Sequence, residues 1–134
     1  MKSIMKKNWE RASAYTLAVA EAMPESGYES RPASTVWTFR ELVHHIAYGL
    51  QWMNEVYVRQ VQQEWSPGPV PETRKATLQY LKGTLDTVNA TLDKDPNEKT
   101  IEGFYFMLEH NAHHRGQATT YLRCQGIEPP GFPF

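Results

Sequence analysis

The sequence predicts an all-α protein, a four-helix bundle of the up-and-down type. Three observations carry that expectation. Four stretches repeat apolar residues at helical spacing, Pro- and Asp-rich breaks separate them, and nowhere does the strict apolar/polar alternation of a strand occur. The first helix is expected from about Ile4 to Met23, with Met5, Trp9, Ala12, Val19 and Met23 as its apolar or small positions, and it stops at Pro24. Residues 24–37, PESGYESRPASTVW, are turn-rich and aperiodic. A second helix opens at Thr38, whose hydroxyl can cap the first turn while Glu41 reaches back to the cap's own amide. It is expected to continue to about Trp65, where SPGPVPE ends it. From about Thr73 a third helix sets Leu78, Leu81, Leu85, Val88 and Leu92 on one stripe. After DKDPNEK the fourth is expected from about Thr100 to Cys124, closing at Gly126, a residue suited to a left-handed cap, with Pro129 and Pro130 beyond. Loops of about seven residues after helices two and three are too short to return along a helix of about 30 Å. Sequential neighbours are therefore expected to be antiparallel, with helices two and four running the same way.

Composition narrows the function. At 134 residues and 40% hydrophobic, the chain reads as one domain over residues 1–134 with enough apolar material for a core. A formal charge of −1 supplies no basic face for nucleic acid. The lone Cys124 excludes an internal disulfide and fits a reducing compartment. No run approaches the roughly 18 apolar residues of a membrane span, and the N-terminus lacks a signal pattern, so a cytoplasmic protein without membrane or nucleic-acid partners is expected.

The segment HNAHHRGQ, residues 110–117, holds three of the five histidines. His110 and His114, four apart, differ by only about 40° in helical azimuth and can bind one metal ion together. On the same projection Met107, Ala118 and Tyr121 share their side, whereas His113 falls near 300°, facing away. In helix two His45 borders the apolar arc of Leu42, Ile46, Gly49 and Met53, and His44, near 260°, lies outside it. His44 and His113 are expected to face solvent. A site built from His45, His110 and His114 between facing helices is thus geometrically reasonable, since bundles build metal centres there. A catalytic metal needs about three protein ligands and one open position.

The histidine in the TFRELVHHIA helix start, the later HxxxHRGQ element and the trailing YLRCQGIEPP together resemble the DinB-type four-helix bundles, over Tyr28 to Pro130. That resemblance implies a three-histidine divalent-metal site with water completing the coordination, carried here by His45, His110 and His114. It also implies homodimers, and relatives that include thiol-dependent transferases and isomerases, proteins labelled hydrolases, and many with no known activity. The chain is short for the family, so pocket-shaping loops are expected to be trimmed.

The spacing of His110 and His114 also matches the zinc-protease helix, but that motif needs a glutamate after its first histidine and Asn111 stands there. Glu41 is the only carboxylate within reach of the site, and capping is its expected work. Three neutral imidazoles leave a divalent ion's charge uncompensated, which favours ionised water or thiol as nucleophile. Zinc, nickel, iron and copper all suit such ligands. Two readings follow, a metal-dependent hydrolase or thiol transferase with a small-molecule substrate, and a non-catalytic, stress-associated metal-binding dimer; a bundle without metal is the third and weakest. Arg115 either anchors an anionic substrate or, as the favoured expectation, pairs with a carboxylate. Gly116 is expected to permit close helix approach. Gln117 and Tyr121 either support the ligands or touch substrate, core packing explaining Tyr121 equally well. Trp9, Trp37, Trp52 and Trp65 are expected as core residues and loop clamps, and Cys124 lies off the metal face.

Overall fold

The computed structural model describes residues 1–133 as four α-helices: α1 Lys2–Ala22, α2 Phe39–Met53, α3 Arg74–Thr91 and α4 Glu98–Cys124. Three of the four starts are fixed by side-chain caps that satisfy otherwise orphaned amides. Thr38 and Glu41 form the full capping box, with Glu41 N donating to Thr38 Oγ1 at 3.1 Å and Thr38 N to Glu41 Oε2 at 2.7 Å. Thr73 Oγ1 accepts from Ala76 N, and Asn97 Oδ1 from Thr100 N. Because Asn97 is the cap, α4 begins two residues before the expected Thr100. α1 ends ahead of Pro24, and the Tyr28 hydroxyl donates to the Ala20 carbonyl near its end. Gly126, with φ 72°, supplies the expected left-handed turn after α4.

The second helix does not reach Trp65. α2 stops at Met53, one π turn follows over Asn54–Val58, and Gln60, at φ 59°, takes the chain out of the helix. The chain then runs back along α2 as an extended strap. Trp52 Nε1 donates to Gln63 O (3.0 Å), Ser66 N to the Tyr48 hydroxyl (2.7 Å), and Arg40 Nη1 to Pro71 O (2.7 Å). An extended segment covers about 3.3 Å per residue, so residues 59–73 are ample to return along a 15-residue helix.

This strap reverses an expected direction. α3 starts beside the start of α2 and runs parallel to it, with Tyr80 donating to Gln51 Oε1 midway and Asn54 Nδ2 to Thr91 Oγ1 at the far end. α4 is antiparallel to α2: Tyr121 donates to Trp37 O at one end, and Thr100 Oγ1 to Val58 O at the other. Helices two and four therefore run in opposite directions, contrary to expectation, because the connection after α2 is about twice the length assumed. α1 pairs antiparallel with α3, Arg74 donating to Met23 O and Glu21 O at one end and Lys6 pairing with Asp93 at the other.

The core lies between these helices, with Trp9, Phe39, Leu81, Phe104, Met107 and Leu122 each under 2% exposed. Burying one such side chain contributes about 1.5–3 kcal/mol. α2 is covered on two sides, and this overturns the expectation for His44. It is buried, beside Tyr80 at 5.6 Å between ring centroids, because α3 lies along the face that a single apolar arc leaves to solvent. Among the described residues, no helix is long and apolar enough to cross a membrane.

Candidate metal centre

His45 enters from α2, and His110 and His114 from successive turns of α4. Their rings meet edge-on or tilted, with centroids 4.4 Å apart for His45–His114, 4.6 Å for His110–His114 and 5.4 Å for His45–His110. One nitrogen from each ring lies within 4.8 Å of the others. His113 is exposed, as expected.

The residues fit a metal ion on two grounds. His45 Nε2 and His114 Nε2 are 3.1 Å apart, a hydrogen-bonding distance that is also close to the roughly 3.3 Å between two ligands of a tetrahedral ion with bonds of about 2.05 Å. His110 Nδ1 is buried with no hydrogen-bond partner among the described residues, a polar atom that packing alone leaves unexplained.

Gln117 orients the third ring. Its Oε1 lies 2.8 Å from His114 Nδ1 and can only accept, so Nδ1 carries the proton and Nε2 presents its lone pair towards His45. Burial, reinforced by the neighbouring imidazoles, lowers His45 and His110 to about 4. Burial also lowers His114, against the Gln117 hydrogen bond that raises it. All three rings are thus neutral near pH 7, the form that ligates metal.

Two neighbours are occupied elsewhere. The Glu41 carboxylate is held low chiefly by the Thr38 amide and serves the helix cap. Asn111 is fully buried against α1, where its amide and the Thr16 hydroxyl hydrogen-bond each other at 3.0 and 3.3 Å. The position that would carry a protease glutamate therefore points away from the histidines.

Tryptophans frame the cluster. Trp37 stacks on His45 at 4.5 Å and approaches His114 at 6.0 Å; Trp65, midway along the strap, lies 5.8 Å from His45. Tyr121 donates to Trp37 O at 2.7 Å and tethers that loop, which gives it a supporting role. Trp9 is a core residue, its indole donating to Leu85 O, while Trp52 packs edge-on against Trp65. Two cavities adjoin the histidines, one of about 510 Å³ lined by Trp37, His114, Gln117 and Tyr121 and one of about 350 Å³ lined by Trp37, His45, Tyr48 and Trp65.

Three residues differ from expectation. Gly49, one turn after His45 and expected only as part of the apolar arc, packs directly on the cluster: a Cβ there would lie 2.7 Å from His110 Cε1. Its place on the His45 side of the helix was the available signal. Gly116 permits no close approach, since nothing lies within 4 Å of where its Cβ would stand; Gly103 does, against the Tyr57 backbone. Arg115 has no carboxylate partner among the described residues, because it points towards α1 and stacks over Tyr15 at 4.9 Å and Phe132 at 5.7 Å. Cys124 is exposed, off the cluster.

Two crystal structures share this architecture. One, a DinB-like protein from Bacillus cereus, is 18% identical with a TM-score of 0.78, covering 95% of this chain and 94% of its own. The other, a DinB-like protein from Bacillus subtilis, is 20% identical with a TM-score of 0.74, covering 97% of this chain and 96% of its own. No curated protein sequence matches the chain. Residues 8–118, spanning α1 through both histidine-bearing helices, match the DinB superfamily, and the chain belongs to that superfamily.

Proposed function

We propose that this protein is a divalent-metal-dependent enzyme, a hydrolase or a transferase that activates a low-molecular-weight thiol, with His45, His110 and His114 as the ligands. The observation that carries this reading is the convergence of three neutral imidazoles, nitrogens within 4.8 Å, where two cavities adjoin. A divalent ion with three neutral ligands lowers the pKa of a bound water or thiol towards neutrality. Everything else falls to the chain. Gln117 keeps the His114 Nδ1 proton away from the site, Gly49 leaves room for the His110 ring, and Trp37 and Trp65 cover His45. Among the described residues Glu41 is the only carboxylate lining either cavity and is committed to its cap, which suits a nucleophile made by ionisation rather than by a side-chain base. Zinc, nickel, iron and copper remain compatible with the imidazoles.

Metal analysis after reconstitution tests the ligand set. Wild type is expected to retain about one equivalent and His45→Ala, His110→Ala and His114→Ala to lose it; full occupancy in all three variants would refute the assignment. Screening esters, amides and thiol acceptors, with and without small thiols, tests the activity, which His114→Ala should abolish. If a chelator lowers the melting temperature substantially while no substrate is turned over, the ion is a staple between α2 and α4 and the enzymatic reading fails.

A further inference from the structure

We propose a second small-molecule site, separate from the histidines, in the cleft between α1 and α4: there Arg115 takes the carboxylate of a small acid that carries an apolar body.

Arg115 is 9% exposed and forms neither an ion pair nor a hydrogen bond with any described residue. Stacking on Tyr15 and Phe132 satisfies the face of the guanidinium, but its five N–H donors lie in the plane and have no acceptor among the described residues. The guanidinium borders the cleft, so an anion lying there can take up donors that otherwise face solvent. The cleft beside it has a volume of about 410 Å³ and is lined by Arg115, Arg11, Asn8, Ala12, Leu108 and Phe132, among others, with two cations and, among the described residues, no carboxylate. It shares no lining residue with the cavities at the histidines. The separation follows from the sequence, since Arg115 comes directly after His114 and points about 100° away around α4.

The chemistry selects the ligand. A guanidinium edge matches a carboxylate through two parallel hydrogen bonds, and one largely buried cation balances one negative charge. The volume lies in the range of small-molecule sites, roughly 300–1,000 Å³. Ala12, Leu108 and Phe132 offer apolar walls that a bare inorganic anion leaves unfilled.

Titration of the purified protein with octanoate, followed by calorimetry and by the ring resonances of Tyr15, tests the proposal. Saturable binding at one site with a Kd of about 1 mM or tighter is expected, with no binding of octanamide or inorganic phosphate. Arg115→Met should weaken binding about 10-fold or more, the loss of a charge-assisted pair. Should that variant fold poorly, Ala112→Phe, which fills the cleft from an exposed position, must give the same loss. His114→Ala should leave binding intact. Absence of saturable octanoate binding, equal binding of octanamide, loss in His114→Ala, or indifference to both cleft variants would each overturn the site.

Discussion

Replacing Gly49 by alanine sets helix propensity against packing at the histidines. Alanine is favoured over glycine in a helix interior by about 0.8–1.0 kcal/mol. Against this, the new Cβ would stand 2.7 Å from His110 Cε1, with Nδ1 at 3.4 Å and Nε2 at 3.6 Å. Reaching an ordinary contact of about 3.4 Å requires the ring to retreat by roughly 0.7 Å. Overpacking of this kind costs about 1–3 kcal/mol, so the metal-free variant should be between neutral and about 2 kcal/mol less stable. The displacement matters more for ligation, because it is a third of a metal–nitrogen bond of about 2.05 Å. Metal affinity should fall about 10- to 100-fold, as it does when the support of a ligand is disturbed. Gly83→Ala and Gly116→Ala are the controls, both in helices with nothing within 4 Å of the added carbon. Each should gain stability from propensity and bind metal as wild type does. Competition titration against a chromophoric chelator and thermal unfolding of the metal-free proteins supply both readouts. If Gly49→Ala melts as high as the controls and binds metal equally well, the close packing of His110 on Gly49 is not what shapes the site.

Three further outcomes are expected. Gln117→Leu removes the acceptor of the His114 Nδ1 proton and should weaken metal binding about 10-fold in the same titration, with Gln117→Glu restoring it; unchanged affinity in the leucine variant would dismiss the orienting role. The metal-free protein should lose stability in acid: His45 and His110 titrate near 4 when folded against 6.5 ordinarily, so between those values the unfolded chain binds protons that the folded chain does not. Their contribution is complete above about pH 6.5 and lost as the pH falls towards 4, and urea unfolding across that window checks it; a flat profile there counts against buried neutral rings. Tyr121→Phe should cost about 1 kcal/mol by freeing the Trp37 carbonyl, and should make Trp37 fluorescence more accessible to iodide; equal quenching would show that the loop is held by something else.

The sequence carries the helix boundaries wherever a boundary is made by local chemistry. Thr38 with Glu41, Pro24 after α1 and Gly126 after α4 all act within a few residues of themselves, so reading them requires no knowledge of the fold. The end of α2 is different in kind. NEVYVRQVQQEW contains no glycine or proline, and its valines keep up an apolar pattern. The chain leaves the helix through a π turn and pins the strap with the Trp52 indole, the Tyr48 hydroxyl and the Arg40 guanidinium, all of them distant in sequence from what they bind. Burial of His44 has the same origin, since it depends on α3 returning parallel to α2. The stacked surroundings of Arg115 depend likewise on where residues near the end of the chain come to lie.

The histidine grouping is insensitive to helix direction, and the reason is its height in the bundle. His110 and His114 are 12 and 16 residues after the start of a 27-residue helix, close to its middle, so reversing the partner helix leaves their level nearly unchanged. Azimuth, which direction does not alter, had already chosen the inward rings. What reversal changes is the order along the axis. In the antiparallel pair, moving one turn forward from His45 along α2 is moving one turn back from His114 along α4, which brings Gly49 against His110. A parallel pair would instead set the residue one turn before His45, the capping Glu41, nearer the level of His110. The glycine in α2 therefore has its physical explanation only once α4 is antiparallel: the helix gives up a side chain at the one level where the second imidazole of α4 must enter.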